Sequence, residues 1–312
     1  LRFVGTAFGP EKELVEQEDI PFSSIVAPKL RRYFSWRHLL LPFELAISIV
    51  QAFITLQRWK PDVIVSAGGF VSVPLVWVGK LLSVPAVIHQ QDLQPGLANK
   101  LMVPYAKKIT VAFEDSLKHF PKGKAEWIGN PVRDLTPTTE EFSLDADYPI
   151  VFITGGGTGA RALNNLVTAD LCEFANVIHL TGKRKSSTPI DHPRYHQREF
   201  LGEAMKEAYA KADLVVARAG LGTISELAAL GKPAIIIPMP GTHQEANADF
   251  LQEHGAAHIL DQRSLTPETF TQEIQTLLGD EGKRQDYIKN VASLFPDNAT
   301  EQFIAAINRI IS

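Results

Sequence analysis

The sequence predicts an α/β protein built from two doubly wound domains, each on a parallel sheet. Short apolar runs alternate with helical patterns along the whole chain of 312 residues. Runs such as DVIVSAG and PAIIIP are apolar on both faces, which is typical of parallel strands covered by helices on both sides. Such runs form two series, separated by a stretch that contains three prolines. Two series of this kind imply two domains.

The individual elements follow from the same patterns. Strands of the first series are predicted at 2–5, 22–26, 62–66, 85–89, 108–113 and 125–128. Those of the second series are predicted at 150–154, 176–180, 213–217, 233–237 and 256–259. Helices fill the gaps, and residues 129–149 have little periodicity, which indicates a linker. Two helices without a strand are predicted from about residue 281, and the last has an apolar face that needs a surface to pack on.

The cysteine content and the charge distribution limit the kinds of site and partner that the protein can have. The single cysteine, Cys172, lies in an apolar helical pattern, which predicts a buried thiol and excludes a disulfide within the chain or a cysteine zinc site. Residues 1–133 carry 16 basic and 11 acidic side chains, whereas residues 134–312 carry 15 and 24. The window 29–60 has six basic residues and one acidic residue, so we expect an anionic partner for the first half. No nucleic-acid partner is expected.

Residues 39–56 have the length of a membrane span. Polar residues recur in them at helical spacing, however, so an amphipathic helix packed on a sheet is favoured over a span. Upstream of this helix, basic residues flank aromatic ones, and the combination favours an anionic bilayer surface over a solvated helix start. The residues concerned are Lys29, Arg31, Arg32, Arg37, Tyr33, Phe34, Trp36 and the Leu39–Leu41 run.

A glycine-rich turn follows the strand predicted at 150–154. Gly155, Gly157 and Ala160 match the dinucleotide pattern G-x-G-x-x-G/A, but the next strand ends in Thr181-Gly182-Lys183 and lacks the acid that would hold a ribose. A nicotinamide cofactor is therefore disfavoured. Exposed backbone N–H groups at a helix start still favour phosphate binding by this turn. The alternative is a tight strand-to-helix turn without a ligand.

Two further strand ends carry polar side chains. In ARAGLGTISE, Glu226 can accept hydrogen bonds from a ribose diol, or it can form a capping box with Thr223. After the next strand, Gln244 and Asn247 offer neutral amides that suit sugar hydroxyls. A phosphate loop, an acid and a pair of amides at three strand ends together predict a nucleotide-sugar site. In the first domain, His89, Asp92 and Asn99 follow a strand in the same way.

The motifs GGFVSVP, HQQDLQPGLANK, GNPVR, GGGTGARALNN, ADLVVARAGLGTISELAALGKPAIIIPMP and HQEANADFL resemble those of a known family, in the same order. The family comprises the MurG-type UDP-N-acetylglucosamine:undecaprenyl-pyrophosphoryl-muramoylpentapeptide N-acetylglucosaminyltransferases of glycosyltransferase family 28. The resemblance covers nearly the whole chain. It implies the GT-B fold, in which two Rossmann-like domains face a cleft. It also implies peptidoglycan synthesis, and with it cell shape and division, at the cytoplasmic face of the bacterial inner membrane.

The resemblance implies roles for the three domains and their residues. Residues 1–132 would form the acceptor and membrane-side domain, 133–296 the UDP-sugar domain, and 297–312 a helix that packs back on the first domain. Glu226 would hold the ribose, Gln244 and Asn247 the sugar hydroxyls, and Arg133 would lie at the hinge. The remaining substrate-binding residues would be Gly155, Gly156, Gly157, Thr158, Gly159, Arg218, Ala219, Gly220 and Asn99.

The chain differs from the family at several positions. The family usually has Tyr at Phe70, Glu and Asn at Gln90 and Asp92, and Ser-Gln at Gly157 and Thr158. It also begins with a strand and a glycine-rich loop that this sequence does not include. We therefore expect the 312-residue chain to bind UDP with little or no transfer to a lipid-linked acceptor. Within the sequence, His89 or Asp92 is expected to act as the base.

The reaction implied is inverting glycosyl transfer from UDP-N-acetylglucosamine to the lipid-linked muramoyl-pentapeptide, lipid I to lipid II. Backbone N–H groups and helix N-termini can stabilise the leaving diphosphate, so neither a metal nor a cofactor is expected. Two alternatives remain open. The protein can be a related lipid glycosyltransferase with another acceptor, or a non-catalytic module that binds a UDP-sugar.

Overall fold

The computed structural model describes residues 1–7, 11–27, 41–156, 159–185 and 189–311. The chain divides into two compact units: unit 1 comprises residues 1–129 and 301–312, and unit 2 comprises residues 130–300. The domain boundaries implied by the family resemblance, at 132/133 and 296/297, stay predictions. The basic and aromatic positions between Lys29 and Arg37 lie outside the described residues.

Unit 2 is built on one sheet of six parallel strands in the order β12–β11–β10–β7–β8–β9. The first strand of the unit, β7, lies in the middle of the sheet, and the chain winds outward from it in both directions. The strand order therefore reverses between β7 and β10, and ligands of such sheets bind at this point, beyond the carboxyl ends of the strands. The strands are β7 (Ile150–Thr154), β8 (Asn176–Leu180), β9 (Tyr195–Arg198), β10 (Leu214–Ala217), β11 (Ala234–Ile236) and β12 (His258–Ile259).

Helices cover both faces of this sheet, which explains why its central strands are apolar throughout. Phe152 of β7 packs into the core on one face, whereas Val151 and Ile153 pack into the core on the other. Every residue of β8 and β10 is buried. The helices of unit 2 are α5 (Arg161–Asn164), α6 (Ala204–Lys211), α7 (Leu221–Leu230), α8 (His243–Glu253), α9 (Pro267–Gly279) and α10 (Glu281–Ser293).

Unit 1 contains a parallel sheet in the order β3–β4–β5–β6 and a separate parallel pair, β1–β2. The strands are β1 (Phe3–Gly5), β2 (Phe22–Ser24), β3 (Ile64–Ser66), β4 (Ala86–Gln90), β5 (Lys108–Val111) and β6 (Ala125–Trp127). The helices are α1 (Glu11–Gln17), α2 (Leu41–Trp59), α3 (Ser72–Leu81) and α4 (Leu97–Met102). The last helix, α11 (Ala299–Ile311), lies for the most part in this unit.

Each predicted strand has a counterpart in the structure, but β9 was missed. Residues Tyr195–Arg198 have no apolar run, because an edge strand buries little of its surface. The predicted thiol is confirmed as buried: Cys172 is fully covered, and burial raises its pKa to about 11.

The predicted helix at 39–56 is confirmed as α2, but its polar stripe faces inward. Ser48, Ala52 and Leu56 are its buried residues. Its large apolar side chains Phe43, Ile47, Val50 and Ile54 are 69%, 50%, 57% and 43% exposed. These four residues, spaced at 4, 3 and 4 positions, form one face of the helix, which we call the α2 apolar stripe. In the described parts of the chain, no helix combines the length and hydropathy needed to cross a bilayer.

Candidate active site

The loop after β7 is a turn that requires glycine at several positions. A side chain at Gly155 would collide with the backbone of Ala160, and one at Gly159 would collide with the carbonyl of Thr181. Gly156 and Gly159 have positive φ angles of 76° and 70°, which glycine adopts without steric cost. The turn therefore packs tightly on its inner side and exposes bare backbone on its outer side.

The turn leads into the short helix α5. Arg161, the first residue of this helix, is exposed, and its guanidinium donates a hydrogen bond to the carbonyl of Arg184, at 3.4 Å. The predicted positions Gly157 and Thr158 lie outside the described residues. An arginine beside bare backbone is the arrangement expected of an anion site.

A buried polar cluster lies beneath this turn, centred on His179 of β8. Its Nε2 lies 3.2 Å from Asn164 Oδ1, and its Nδ1 lies 2.7 Å from the hydroxyl of Tyr195, which donates to Gln197 Oε1 at 3.1 Å. The imidazole is fully buried, and burial lowers its pKa to about 4. The histidine is therefore neutral at physiological pH, which agrees with one donating and one accepting nitrogen.

This cluster connects the glycine turn to the loop after β8. Asn164 Nδ2 donates to the carbonyls of Thr181, at 3.0 Å, and Lys185, at 2.7 Å. Lys185 Nζ in turn donates to the carbonyl of Gly159, at 3.1 Å. The cluster thus supports the glycine turn from the interior of the unit. We call it the His179 network (His179, Asn164, Tyr195 and the two loop carbonyls).

The second glycine-rich loop connects β10 to α7. The helix begins at Leu221 with Gly220 as its N-cap, and no side chain caps it. Thr223 is therefore the third residue of the helix and not its N-cap. The capping-box interpretation of Thr223 and Glu226 is wrong for this reason. The uncapped N–H groups of this ten-residue helix leave its positive end available at the switch point of the sheet.

Arg218 lies at the end of β10 but points into the protein. Its side chain donates to the carbonyls of Ile237, at 2.9 Å, and Pro238, at 3.2 Å, and to Gln262 Oε1, at 2.5 Å. Only 5% of the residue is exposed, and burial lowers its pKa below the ordinary value. Arg218 thus ties the ends of β10 and β11 together, and its contact with a substrate stays a prediction.

Glu226 of α7 is a carboxylate with a fixed partner, Arg133. The Arg133 Nε–H donates to Glu226 Oε1 at 3.0 Å, and the two side chains are 50% and 17% exposed. Tyr209 of α6 is 1% exposed, and its ring packs edge-on against Phe152, with the centroids 5.1 Å apart. Burial, together with the charge of Glu226, raises the pKa of Tyr209 well above its ordinary value, so the phenol stays protonated.

The predicted amide pair sits at the start of α8. Thr242 caps the helix, and Gln244 Oε1 accepts a hydrogen bond from the N–H of Met239, at 3.0 Å. Asn247 is fully buried, and its Nδ2 donates to the carbonyl of Ala219, at 3.0 Å. The structure therefore connects α8 directly to the loop before α7. Asn247 thus supports the Ala219 carbonyl, and its contact with a substrate stays a prediction.

Arg133 also lines a cavity of about 670 Å³ in unit 2. The cavity lies between residues 130–137, the second half of α7 and residues 295–300. Neither Gly155 nor Gln244 contributes to it, so it is separate from the glycine turn and from the amide pair.

In unit 1, His89 is 3% exposed, and its Nδ1 lies 2.9 Å from Thr110 Oγ1. Its ring centroid lies 5.3 Å from that of Phe303 in α11. This placement gives no support to His89 as a base, because a base must reach the acceptor hydroxyl.

Asp92 lies in a loop that two buried amides hold in shape. Gln90 Nε2 donates to the carbonyls of Asp92, at 2.6 Å, and Gln94, at 3.2 Å. Asn99 Nδ2 donates to Gln90 Oε1 at 2.6 Å. Asp92 is half-buried, which leaves it better placed than His89 for contact with a substrate. Asn99 therefore shapes this loop, and its predicted contact with a substrate is not tested by the structure.

Unit 2 combines three features that suit a nucleoside diphosphate. The glycine turn and the free end of α7 offer backbone N–H groups and positive potential for phosphates. Glu226 offers a carboxylate fixed in orientation for a diol. Sequence analysis missed His179, whose signal is a polar side chain inside an otherwise apolar strand. Among the described residues, no group of His, Cys, Asp and Glu is arranged to hold a metal ion.

Two α/β units on parallel sheets, the second with the Rossmann strand order, agree with the GT-B glycosyltransferase class. Acinetobacter baumannii MurG has a similar structure, with a TM-score of 0.75 and 27% identity over 99% of this chain and 90% of that one. The glycosyltransferase of kitacinnamycin shares the fold, with a TM-score of 0.77 at 12% identity over 100% and 91% of the two chains. The predicted fold class is confirmed.

Two family descriptions match the sequence: the glycosyltransferase family 28 N-terminal domain over residues 1–111, and the C-terminal domain over residues 150–303. The UDP-N-acetylglucosamine--N-acetylmuramyl-(pentapeptide) pyrophosphoryl-undecaprenol N-acetylglucosamine transferase of Lachnospira eligens is 35% identical over 95% of this chain and 90% of its own length. That of Legionella pneumophila strain Paris is 33% identical over 98% and 88%. The chain belongs to glycosyltransferase family 28, so the predicted resemblance and enzyme class are confirmed.

Proposed function

We propose that the protein transfers N-acetylglucosamine from UDP-N-acetylglucosamine to the lipid-linked muramoyl-pentapeptide, the step from lipid I to lipid II, with inversion at the anomeric carbon. One observation carries this proposal. Glu226 is held by Arg133 beside the switch point of the sheet, in a chain whose family relatives are named for this donor and acceptor. Peptidoglycan synthesis is the process to which this reaction contributes.

The donor site consists of the three strand ends of unit 2. The diphosphate binds at the glycine turn 155–159 and at the start of α7, formed by Ala219 and Gly220. The ribose diol binds Glu226, and Gln244 contacts the sugar hydroxyls. Arg133 and Arg218 add positive charge, and Asn247 supports Ala219 from below. As the glycosidic bond breaks, fixed N–H groups stabilise the charge that develops on the leaving diphosphate.

The acceptor side is proposed for unit 1, with Asp92 as the base that takes the proton of the attacking hydroxyl. A carboxylate in a loop shaped by Gln90 and Asn99 has the fixed position that general-base catalysis needs. His89 is the second candidate, and its burial makes it the weaker one.

A binding and a transfer experiment test the proposal separately. Calorimetry with UDP and UDP-N-acetylglucosamine measures the donor site, and radiolabelled donor with a lipid-linked muramoyl-pentapeptide measures transfer. Binding of both nucleotides is expected, and label in the lipid fraction is the result that supports transfer. Absence of UDP binding would refute the donor site. Equal transfer to a diacylglycerol acceptor would favour the related lipid glycosyltransferase, and donor binding without transfer to any acceptor would favour the binding module.

Replacing Glu226 with alanine should weaken UDP binding by about 1.5–3 kcal/mol, the scale of a hydrogen bond to a charged group. Thermal stability should change little, because Glu226 is not part of a cap. Calorimetry and thermal unfolding measure the two effects. Glu253→Ala, which removes an exposed carboxylate from the end of α8, is the control. Loss of stability with unchanged UDP affinity would count against the ribose contact.

The variant Gln244→Glu distinguishes the role of the Gln244 amide oxygen from the role of its NH₂ group. The variant keeps an oxygen that can accept from the Met239 N–H, but it removes the NH₂ donors. If these donors bind the sugar, the KM for UDP-N-acetylglucosamine should rise about tenfold and discrimination among UDP-hexoses should weaken. UDP affinity should stay the same. An equal loss for UDP and every UDP-sugar would instead indicate a structural role for Gln244.

We also propose that the protein binds peripherally to an anionic membrane, at the cytoplasmic face of the inner membrane, and does not bind nucleic acid. The α2 apolar stripe supports this proposal, because contiguous exposed apolar residues on a helix suit an interface with lipid. The excess of basic residues over 29–60 supplies attraction to anionic headgroups.

Ile47→Glu should lower co-sedimentation with anionic vesicles by about tenfold or more, because it places a charge where an apolar side chain would be buried. Gln252→Glu adds the same charge on the exposed surface of α8 in unit 2 and should leave binding unchanged. Binding should also fall as salt is added. Identical binding of the wild type to neutral and anionic vesicles would contradict the electrostatic part of the proposal.

A further inference from the structure

A group of basic side chains lies beyond the carboxyl end of β8, next to the glycine turn. Lys183, Arg184 and Lys185 follow this strand, and Arg161 begins α5 directly after the turn. The guanidinium of Arg161 donates to the carbonyl of Arg184, at 3.4 Å, and Lys185 Nζ donates to the carbonyl of Gly159, at 3.1 Å. These contacts bring the four cations to the proposed phosphate turn. We call them the β8 basic cluster.

The contacts of this cluster leave its positive charge uncompensated. Arg161 and Lys185 donate to neutral carbonyl groups, and Lys183 Nζ lies over the ring of Phe200, 5.8 Å from its centroid. Among the described residues, none of the four basic side chains forms an ion pair. Three of them, Arg161, Lys183 and Arg184, are exposed, so their charges face solvent.

The cluster has the opposite sign to the chain around it. Residues 134–312 carry 15 basic and 24 acidic side chains, so this part of the chain as a whole repels an anion. Four uncompensated cations at one end of the sheet reverse the sign of the charge at the place where the proposed donor enters. The distribution of charge thus favours one direction of approach for an anionic nucleotide.

The backbone of Arg184 shows that the fold holds this loop in place. Its φ angle is 57°, in the left-handed region that glycine adopts more easily. The Arg184 N–H donates to the carboxylate of Glu199, at 3.3 Å, and its carbonyl accepts from Arg161. Both contacts use backbone atoms of Arg184, and its guanidinium takes no part in them. The charge of Arg184 can therefore be removed while the contacts that hold the loop are kept.

We propose that the β8 basic cluster attracts the anionic nucleotide to the donor site and raises its association rate constant, kon. The inference rests on the proposed function, since it takes the glycine turn as the phosphate site. Backbone N–H groups bind the phosphates once they arrive, whereas charges act over about 8 Å at physiological ionic strength. Attraction of this kind raises kon by about ten- to a thousandfold and leaves the dissociation rate constant, koff, unchanged.

Stopped-flow fluorescence tests the inference with a UDP analogue that carries a fluorophore on carbon 5 of the base. The double variant Lys183→Gln/Arg184→Gln removes two charges of the cluster. At about 0.01 M salt, where charges act over about 30 Å, we expect kon to fall about tenfold and koff to stay unchanged. At about 1 M salt the variant and the wild type should bind at the same rate, because the charges are screened within about 3 Å.

Three further variants distinguish charge from shape and from net charge. Lys183→Arg/Arg184→Lys keeps both charges and should bind at the wild-type rate. Lys283→Gln/Lys289→Gln removes the same charge from exposed residues of α10 and should change kon by less than about twofold. Glu199→Gln keeps an oxygen for the Arg184 N–H but removes the negative charge beside the cluster, so it should raise kon.

The proposed function and the inference can fail separately. A wild type that binds neither the analogue nor unlabelled UDP would refute the donor site, and this inference with it. A wild type that binds both, with a kon that does not depend on salt, would overturn the inference alone. A rise in koff of Lys183→Gln/Arg184→Gln with unchanged kon would assign these side chains to direct contact with the bound nucleotide. An equal fall in kon for the α10 variant would assign the effect to net charge, and either result would overturn the inference.

Discussion

Glu207→Ala is expected to lower the free energy of unfolding of unit 2 by about 2–3 kcal/mol, the upper part of the scale for hydrogen bonds that lose a buried partner. The substitution removes a buried carboxylate that accepts four hydrogen bonds, one of them from the buried N–H of Phe142. Urea unfolding measures the change. All four tryptophans lie in residues 1–129, so tryptophan fluorescence reports unit 1 and circular dichroism reports both units.

The expected loss follows from the contacts of Glu207, a residue of α6 that is 1% exposed. Its carboxylate accepts from the N–H groups of Glu141, at 2.7 Å, and Phe142, at 3.1 Å, and from the hydroxyl of Thr139, at 3.1 Å. Lys211 Nζ lies 2.7 Å from it. Burial by itself would raise the pKa of Glu207, but these hydrogen bonds, with that from Lys211 the strongest, hold it below its ordinary value.

Glu203→Ala is the matched control for this prediction. Glu203 is just before α6, pairs with Lys206 at 2.7 Å, and accepts from Thr138 at 3.3 Å, but its side chain is 64% exposed. An exposed pair contributes little, so a loss below about 1 kcal/mol is expected. Equal losses for the two variants would mean that burial does not decide the effect. A loss in the tryptophan signal alone would place the damage in unit 1 and contradict the prediction.

The donor-side fold could be predicted from the sequence because its signals are local. The strands β7, β8 and β10 are buried on both faces, so a continuous apolar run in the sequence identifies each of them. Glycine at 155 and 159 marks backbone that admits no side chain, and this constraint is also visible in the sequence. The positions of loops at the switch point then follow from the winding of a parallel sheet.

Contacts between residues far apart in sequence could not be predicted in this way. Arg133 reaches Glu226 and Glu207 reaches Phe142 across many intervening residues, and no periodicity encodes these pairs. The sequence also did not predict which face of α2 points inward, because Ser48 is buried although it is polar. Sequence patterns report burial on average, whereas these side chains are exceptions whose hydrogen bonds permit their burial.

Acid is expected to destabilise unit 2 mainly through the buried His179. Its pKa in the folded protein is about 4, below the ordinary value of 6.5. The unfolded state therefore binds the proton first as the pH falls. The contribution of His179 to stability is complete above pH 6.5 and is lost progressively between pH 6.5 and pH 4. Each pH unit in this interval is worth about 1.4 kcal/mol, so the loss approaches about 3 kcal/mol.

His179→Gln removes the titration but keeps one donor and one acceptor for Asn164 and Tyr195. Its unfolding free energy, measured in urea by circular dichroism between pH 7 and pH 4, should fall less steeply than that of the wild type. Burial and Arg198 also lower the pKa of His196, which adds a loss of the same sign. The difference between the wild type and the variant therefore isolates His179.

The location of the loss gives a second measurement. Protonation places a charge on the fully buried His179, so the network that carries Asn164 and the Thr181 and Lys185 carbonyls should weaken first. Hydrogen exchange at pH 5 should then rise in residues 159–185 before it rises in β10 and β11. Since Lys185 holds Gly159, this opening would reach the proposed phosphate turn. Equal acid sensitivity in His179→Gln, or exchange that rises uniformly across the sheet, would assign the effect to other groups.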